Sequence, residues 1–110
     1  MKPQILFEEY AKIEVRVGEI VEASIPEGSE KLLKLTVDFG VEKRTIFAGI
    51  KEWYTPEVLV GVKTMWVTNI PPKMTPFGES RGMLFACDGK AGKPEIIKLG
   101  KKVERGAVFH

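Results

Sequence analysis

Leu33-Lys34-Leu35-Thr36-Val37-Asp38-Phe39-Gly40 is the stretch that decides the fold. Leu33, Leu35, Val37 and Phe39 alternate with Lys34, Thr36 and Asp38, the period of a strand with one face in a core and one in water. Gly40 ends the run, and a third strand over roughly Arg44 to Ala48 makes a hairpin or meander with it. Upstream, Ile13, Val15 and Val17 alternate with Glu14 and Arg16, and that first strand continues through Ile20-Val21. Pro26-Glu27-Gly28-Ser29 supplies turn chemistry between the two. Phe7-Glu8-Glu9-Tyr10-Ala11 suits a short N-terminal helix with both aromatics on one face. Downstream, Thr55-Pro56-Glu57 reads as a helix start: Thr55 can cap, Pro56 fits the first helical position, and Glu57 favours the positive end of the dipole. Gly61 keeps this helix short. A fourth strand from about Lys63 to Ile70 is rich in the β-formers Trp66, Val67 and Thr68. A fifth spans about Gly82 to Cys87. After the turn Asp88-Gly89-Lys90-Ala91-Gly92, Glu95 to Leu99 forms a last short strand.

Three strands, a short helix and two more strands is the order of an all-β, five-stranded Greek-key barrel, the OB-fold. Small SH3-like barrels are its rival on pattern alone. Residues 1–110 read as one domain, with 1–11 and 95–110 as extensions able to form a dimer contact. Ile5, Leu6 and Phe7 at one end and Val103, Val108 and Phe109 at the other are the candidate apolar contacts; the competing reading is that they close the barrel ends.

The 110 residues suffice for a single core, and 44% hydrophobic with 29% charged residues is ordinary for a soluble globular domain. The N-terminus lacks a signal-peptide apolar region. Cys87 is the only cysteine, which points to a reducing cytoplasm, and its apolar run Met83-Leu84-Phe85-Ala86-Cys87 predicts a buried, inert thiol. The net charge of +2 permits nucleic-acid binding without arguing for it. Chemistry is thinly provided for. The one histidine is His110, the last residue; there is no Cys-x-x-Cys or His-x-x-x-His spacing and no glycine-rich phosphate loop. Glu8-Glu9 reads as a solvated pair complementing a helix dipole rather than an acid/base pair. The chain reads as a non-enzyme with no cofactor and no metal.

Binding is better represented. From Asn69 to Met83 the sequence places an amide (Asn69), an ammonium (Lys73), a hydroxyl (Ser80), a guanidinium (Arg81) and a thioether (Met83) in a loop stiffened by Pro71, Pro72 and Pro76. Asn69 can pair with a base edge, Ser80 with a ribose or base, and Arg81 can stack or hold a phosphate. Lys31, Lys34, Lys43, Arg44 and Lys63 could join this rim in a barrel, although each alone reads as a solvated charge. A methionine at a strand start, as Met74 and Met83 are read, is more often core filler than a ligand platform, and Met83 could be either because Leu84 and Phe85 compete for the interior. Trp53-Tyr54 reads as a stacking surface, or at least as readily as cover for one end of the barrel or a dimer contact.

These residues also carry a resemblance. Glu14-Val15-Arg16-Val17-Gly18, Glu27-Gly28-Ser29-Glu30-Lys31-Leu32-Leu33-Lys34-Leu35, Ala48-Gly49-Ile50, Tyr54-Thr55-Pro56-Glu57, Leu59-Val60-Gly61 and the Asn69-to-Met83 loop stand in order along the chain. Together they resemble the tRNA-binding domains related to the C-terminal module of methionyl-tRNA synthetase. The resemblance implies an OB-fold that recognises the bent shape of tRNA, joined as a homodimer through its terminal extensions. By position it implies RNA contact from Lys31, Arg44, Asn69, Lys73, Ser80 and Met83. It also implies a role as a beta subunit to a separate methionyl-tRNA synthetase chain. Two departures stand out: Lys73-Met74 replaces two successive basic residues, and Arg81 replaces a Glu or Gln. Arg81 is expected to restore the missing positive charge. The turn Asn69-Ile70-Pro71-Pro72 is similar as well to secretion-related chaperones on the same dimeric fold, whose implied partner is unfolded peptide. Gly28-Ser29-Glu30-Lys31-Leu32 and the Ser-x-Gly-Met ending favour the tRNA binders.

Overall fold

The computed structural model describes residues 1–110. Helix α1 covers Phe7–Tyr10, and three strands follow: β1 Val15–Ser24, β2 Leu33–Asp38 and β3 Lys43–Ala48. Helix α2 is Pro56–Leu59. The later strands are β4 Lys63–Val67, β5 Lys73–Thr75, β6 Gly78–Ser80, β7 Met83–Leu84, β8 Cys87–Asp88 and β9 Pro94–Glu95. Five strands form one antiparallel sheet in the order β3-β2-β1-β4-β7. The expected all-β, five-stranded barrel is therefore present, with only short helices.

Strand β1 makes the curvature possible by serving two neighbours. Glu19 to Ser24 pairs with β2, whereas Val15 to Glu19 pairs with β4. A register shift between Ile20 and Glu22 marks the bend, as an extra residue in one strand increases local twist. The sheet then curls until β3 meets the β6–β7 segment. Arg81 N–H donates to Thr45 C=O at 2.9 Å, and Phe47 N–H donates to Ser80 Oγ at 2.9 Å. These two bonds bring the barrel close to closure.

The alternation of β2 is realised: Leu33, Leu35, Val37 and Phe39 are buried beside Ile20, Ile46, Leu59 and Trp66. Trp66 donates its indole N–H to Gly18 C=O at 3.0 Å, so its one polar atom is satisfied inside the core. Gly18 is required there by space. A Cβ would lie 2.5 Å from Val37 Cγ1 and 2.8 Å from Trp66 Cδ1. Helix α2 inserts Leu59 into the core and carries Pro56 in its first turn, but Thr55 makes no side-chain cap.

Other expectations are corrected. The fourth strand ends at Val67, because Thr68 and Asn69 turn to bond the chain before β1. The fifth keeps only Met83–Leu84, and the loop before it contains an unforeseen hairpin, β5–β6. Cys87 is exposed, not buried. The turn after Asp88 folds β8 against β9, pairing Cys87 with Glu95 and drawing the thiol away from the barrel. The strand expected from Glu95 to Leu99 shrinks to Pro94–Glu95, although Leu99 N–H still bonds Lys63 C=O. Asp38, expected on the wet face of β2, is buried and takes Arg105 at 2.8 Å. Arg105 opens a tail that runs antiparallel along the start of β1: Gly106 N–H bonds Val17 C=O, Val17 N–H bonds Ala107 C=O, and Phe109 N–H bonds Val15 C=O.

Candidate nucleic-acid interface

The loop after β4 owes its shape to local chemistry. Pro71 and Pro72 restrict the backbone into β5, and Thr75 tightens the β5–β6 turn, its hydroxyl accepting Phe77 N–H and donating to Gly78 C=O at 2.8 Å. The hairpin overhangs β3 and leaves an open groove of about 520 Å³. Phe47, Ala48, Ile50, Ile70, Pro71, Met74, Met83 and Leu84 line it, with Lys73 and Ser80 among the polar members.

The expected site residues divide by how much of each side chain is free. Lys73 is exposed on the groove wall. Arg81 is exposed between Ser80 and Gly82, both of which line the groove. Lys31 is exposed one residue before groove-lining Leu32, its carbonyl fixed by Lys51 N–H at 3.1 Å. None of these three cations forms an ion pair within the chain. Met83 is 48% exposed and Met74 is 70% exposed, so both methionines face solvent and groove rather than filling the core. Ser80 is buried; its oxygen accepts Phe47 N–H and its own proton remains to be given.

Arg44 and Asn69 are committed to the protein itself. Arg44 pairs with Glu42 at 2.6 Å, donates to Thr68 C=O at 2.7 Å and stacks over Phe39. It also approaches Arg81 C=O at 3.4 Å, so its role here is to hold loop backbone. Asn69 accepts Glu14 N–H at 2.7 Å and donates to Lys12 C=O at 2.6 Å, which leaves little of the amide for a base edge. Lys34, Lys43 and Lys63 do not line the groove. Lys63 instead donates to Val103 C=O at 2.8 Å and steadies the turn before the tail. Tyr54 donates its hydroxyl to Pro94 C=O at 2.7 Å, which favours the covering role for Trp53-Tyr54.

Sequence reasoning missed a supporting cluster. Arg16 donates to Glu14 at 2.9 Å and to Gly106 C=O at 2.8 Å, while Glu14 also accepts the Thr68 hydroxyl. The Arg16 and then the Thr68 hydrogen bonds hold the Glu14 carboxyl below its ordinary value. Glu14 in return raises Arg16. The only sequence signal was the i, i+2 spacing of opposite charges on one strand face. Phe47 in the groove wall gave no signal beyond being apolar, and Ile50 none beyond its place in Ala48-Gly49-Ile50.

The groove lining thus carries the unpaired Lys73 and the thioethers of Met74 and Met83, with unpaired Lys31 and Arg81 next in sequence to lining residues. Residues 15–108 match the family described as "Putative tRNA binding domain", and the chain belongs to it. Among curated proteins it is similar to the methionine–tRNA ligase of Nitrosomonas eutropha, 43% identical over 93 residues, covering 84% of this chain and 13% of that protein. The methionine–tRNA ligase of Nitrosomonas europaea is 47% identical over 88 residues, 80% of this chain and 12% of that protein. The chain thus spans about an eighth of the length of the curated relatives it matches. Among solved structures, a MetRS-related protein of Pyrococcus horikoshii superposes with a TM-score of 0.93 at 36% identity, over 99% of this chain and 100% of that one. The CsaA chaperone of Bacillus anthracis shares the fold, with a TM-score of 0.86 at 23% identity over 98% of this chain and 100% of that one.

Proposed function

We propose that this chain is a non-catalytic, cytoplasmic OB-fold protein that acts as a homodimer and holds tRNA by its shape. Lys31, Lys73 and Arg81 would meet backbone phosphates, while Ser80 and Met83 would meet a ribose or an unstacked base inside the groove. The observation that carries this reading is an open groove lined by the unpaired Lys73, with unpaired Lys31 and Arg81 next in sequence to lining residues, in a chain of the tRNA-binding family. Cations at the edge supply affinity without sequence preference, and the groove floor supplies polar and apolar contact to a splayed nucleotide. Arg44 supports the loop in this scheme, while Asn69 bonds the segment before β1. Similarity to methionine–tRNA ligases supports a place beside a separate methionyl-tRNA synthetase chain, whose activation chemistry would stay with that partner.

The homodimer is supported by unburied apolar side chains in the N-terminal segment. Ile5, Leu6, Phe7 and Tyr10 are all more than half exposed, and α1 buries no residue. Such a contiguous set marks an association surface.

A second reading, capture of unfolded peptide, is favoured by one observation: nine of the sixteen groove residues are hydrophobic. Gel-shift titration of tRNA, duplex RNA and an unfolded peptide in parallel separates the two. The tRNA reading predicts tightest binding to tRNA. Preference for the peptide would overturn it.

A further inference from the structure

The N-terminal arm, residues 1–13, is joined to the barrel by a single hydrogen bond. Within the arm, Glu9 and Tyr10 N–H bond Leu6, Ala11 bonds Phe7, Lys12 bonds Glu9 and Ile13 bonds Tyr10. The Lys12 ammonium reaches only Glu9. The one bond that leaves the arm runs from Asn69 Nδ2 to Lys12 C=O at 2.6 Å. On its other side the same amide accepts Glu14 N–H at 2.7 Å, where the arm enters β1. Ladder pairing between β1 and β4 ends at Val15 opposite Val67, and Thr68 N–H adds one bond to Glu14 C=O. Beyond that point the Asn69 carboxamide stands in for the next peptide group, with its oxygen and its nitrogen each taking a backbone partner of the opposite strand.

We infer that Asn69 is a positioning residue that sets the direction of the N-terminal arm from the head of the binding loop. The arm's exposed apolar side chains hang on that direction, so Asn69 governs how the arm is presented to a second copy of the chain. Its effect on RNA would then pass through assembly rather than through contact with a base. That second consequence rests on the homodimeric, tRNA-binding reading above; the clamp itself does not.

Amide hydrogen exchange on the full chain, comparing wild type with Asn69→Ala and Asn69→Asp, tests the clamp directly. In Asn69→Ala the Glu14 amide should exchange about three- to tenfold faster, the loss of one hydrogen bond, while Leu35 and Ile46 amides keep their protection. Asn69→Asp keeps an acceptor for Glu14 N–H but loses the donor to Lys12, so Glu14 stays protected. Unchanged Glu14 exchange in Asn69→Ala overturns the clamp whether or not the chain binds RNA. Sedimentation and tRNA titration of the same variants address the consequence. Both variants should dimerise more weakly, yet Asn69→Ala should bind tRNA with wild-type affinity at concentrations where it is a dimer. Weakened tRNA binding by a fully dimeric Asn69→Ala would return Asn69 to the role of an RNA contact. A wild type that neither dimerises nor binds tRNA would sink the proposed function and leave the exchange result to decide the clamp alone.

Discussion

At the scale of single residues, the same side-chain types do opposite work depending on what they touch. Arg44 and Arg81 are both arginines near the groove, but Arg44 is consumed by Glu42, Thr68 and Phe39, whereas Arg81 is free. Arg81→Glu should therefore weaken tRNA binding and lower the salt dependence by about one unit of slope, with stability little changed. Unchanged affinity at moderate salt would remove Arg81 from the interface. In the core, Thr64 is fully buried and its hydroxyl has no partner. Thr64→Val should raise stability by about 1 kcal/mol, because an unsatisfied buried hydroxyl is replaced by a methyl of similar size. Thermal melting reads this as a rise of a few degrees. Glu14 gives a pH signature. Its folded value is lowered by Arg16 and Thr68, so its contribution to stability is present above its ordinary value of 4.5 and is lost as pH falls through the lower folded value. In urea titrations the gap between wild type and Glu14→Gln should be open at neutral pH and close in acid; a gap independent of pH would contradict the assignment.

Among the elements, those with strong periodicity were legible and those defined by distant partners were not. Strands β1 to β4 follow from apolar alternation and β-formers, because their registers bury Leu33, Leu35, Val37 and Trp66 together. Residues Met83 to Cys87 look like one continuous apolar strand, yet the chain leaves the barrel after Phe85, whose N–H bonds Met65 C=O. The competing β8–β9 hairpin, made by the turn at Gly89, decides the fate of Cys87. The β5–β6 hairpin was hidden because its three-residue strands lack an apolar face. For the site, exposed Lys31, Lys73 and Arg81 could be named from charge and loop position. That Asn69 and Arg44 are spent on backbone more than ten residues away could not, since nothing local encodes those partners. The tail was equally silent. It pairs with β1 on the side that β2 leaves open, and Arg105 bonds Glu19 and then Asp38, which raises its own value. Ending the chain after Leu99 should strip the tail-side hydrogen bonds from Val15 and Val17 and leave buried Asp38 without its cation, lowering the melting temperature. Light scattering of the same truncation reports on the tail's part in assembly: a smaller species is expected, and a dimer of unchanged strength would confine that role to the N-terminal arm.

Over the whole molecule, a net charge of +2 is too small to draw nucleic acid by itself. The proposed affinity must come from where the cations lie. Half of the other cations are paired or turned to backbone: Lys12 with Glu9, Arg16 with Glu14, Arg44 with Glu42, Lys93 with Glu95, Arg105 with Asp38, and Lys51 and Lys63 with carbonyls. Among the unpaired ones Lys73 lines the groove, Lys31 and Arg81 adjoin lining residues in sequence, and a second copy of the chain would double them. Phosphate contacts of this kind release counterions, so binding must fall steeply as salt rises, whereas an apolar groove holding peptide would not respond in that way. The most direct measurement is therefore the dissociation constant of the full chain for tRNA across about 50 to 200 mM salt. The account predicts a straight, steep loss of affinity on logarithmic axes, made shallower by Arg81→Glu. Binding that stays constant with salt, or that is matched by unfolded peptide at every salt concentration, would contradict it.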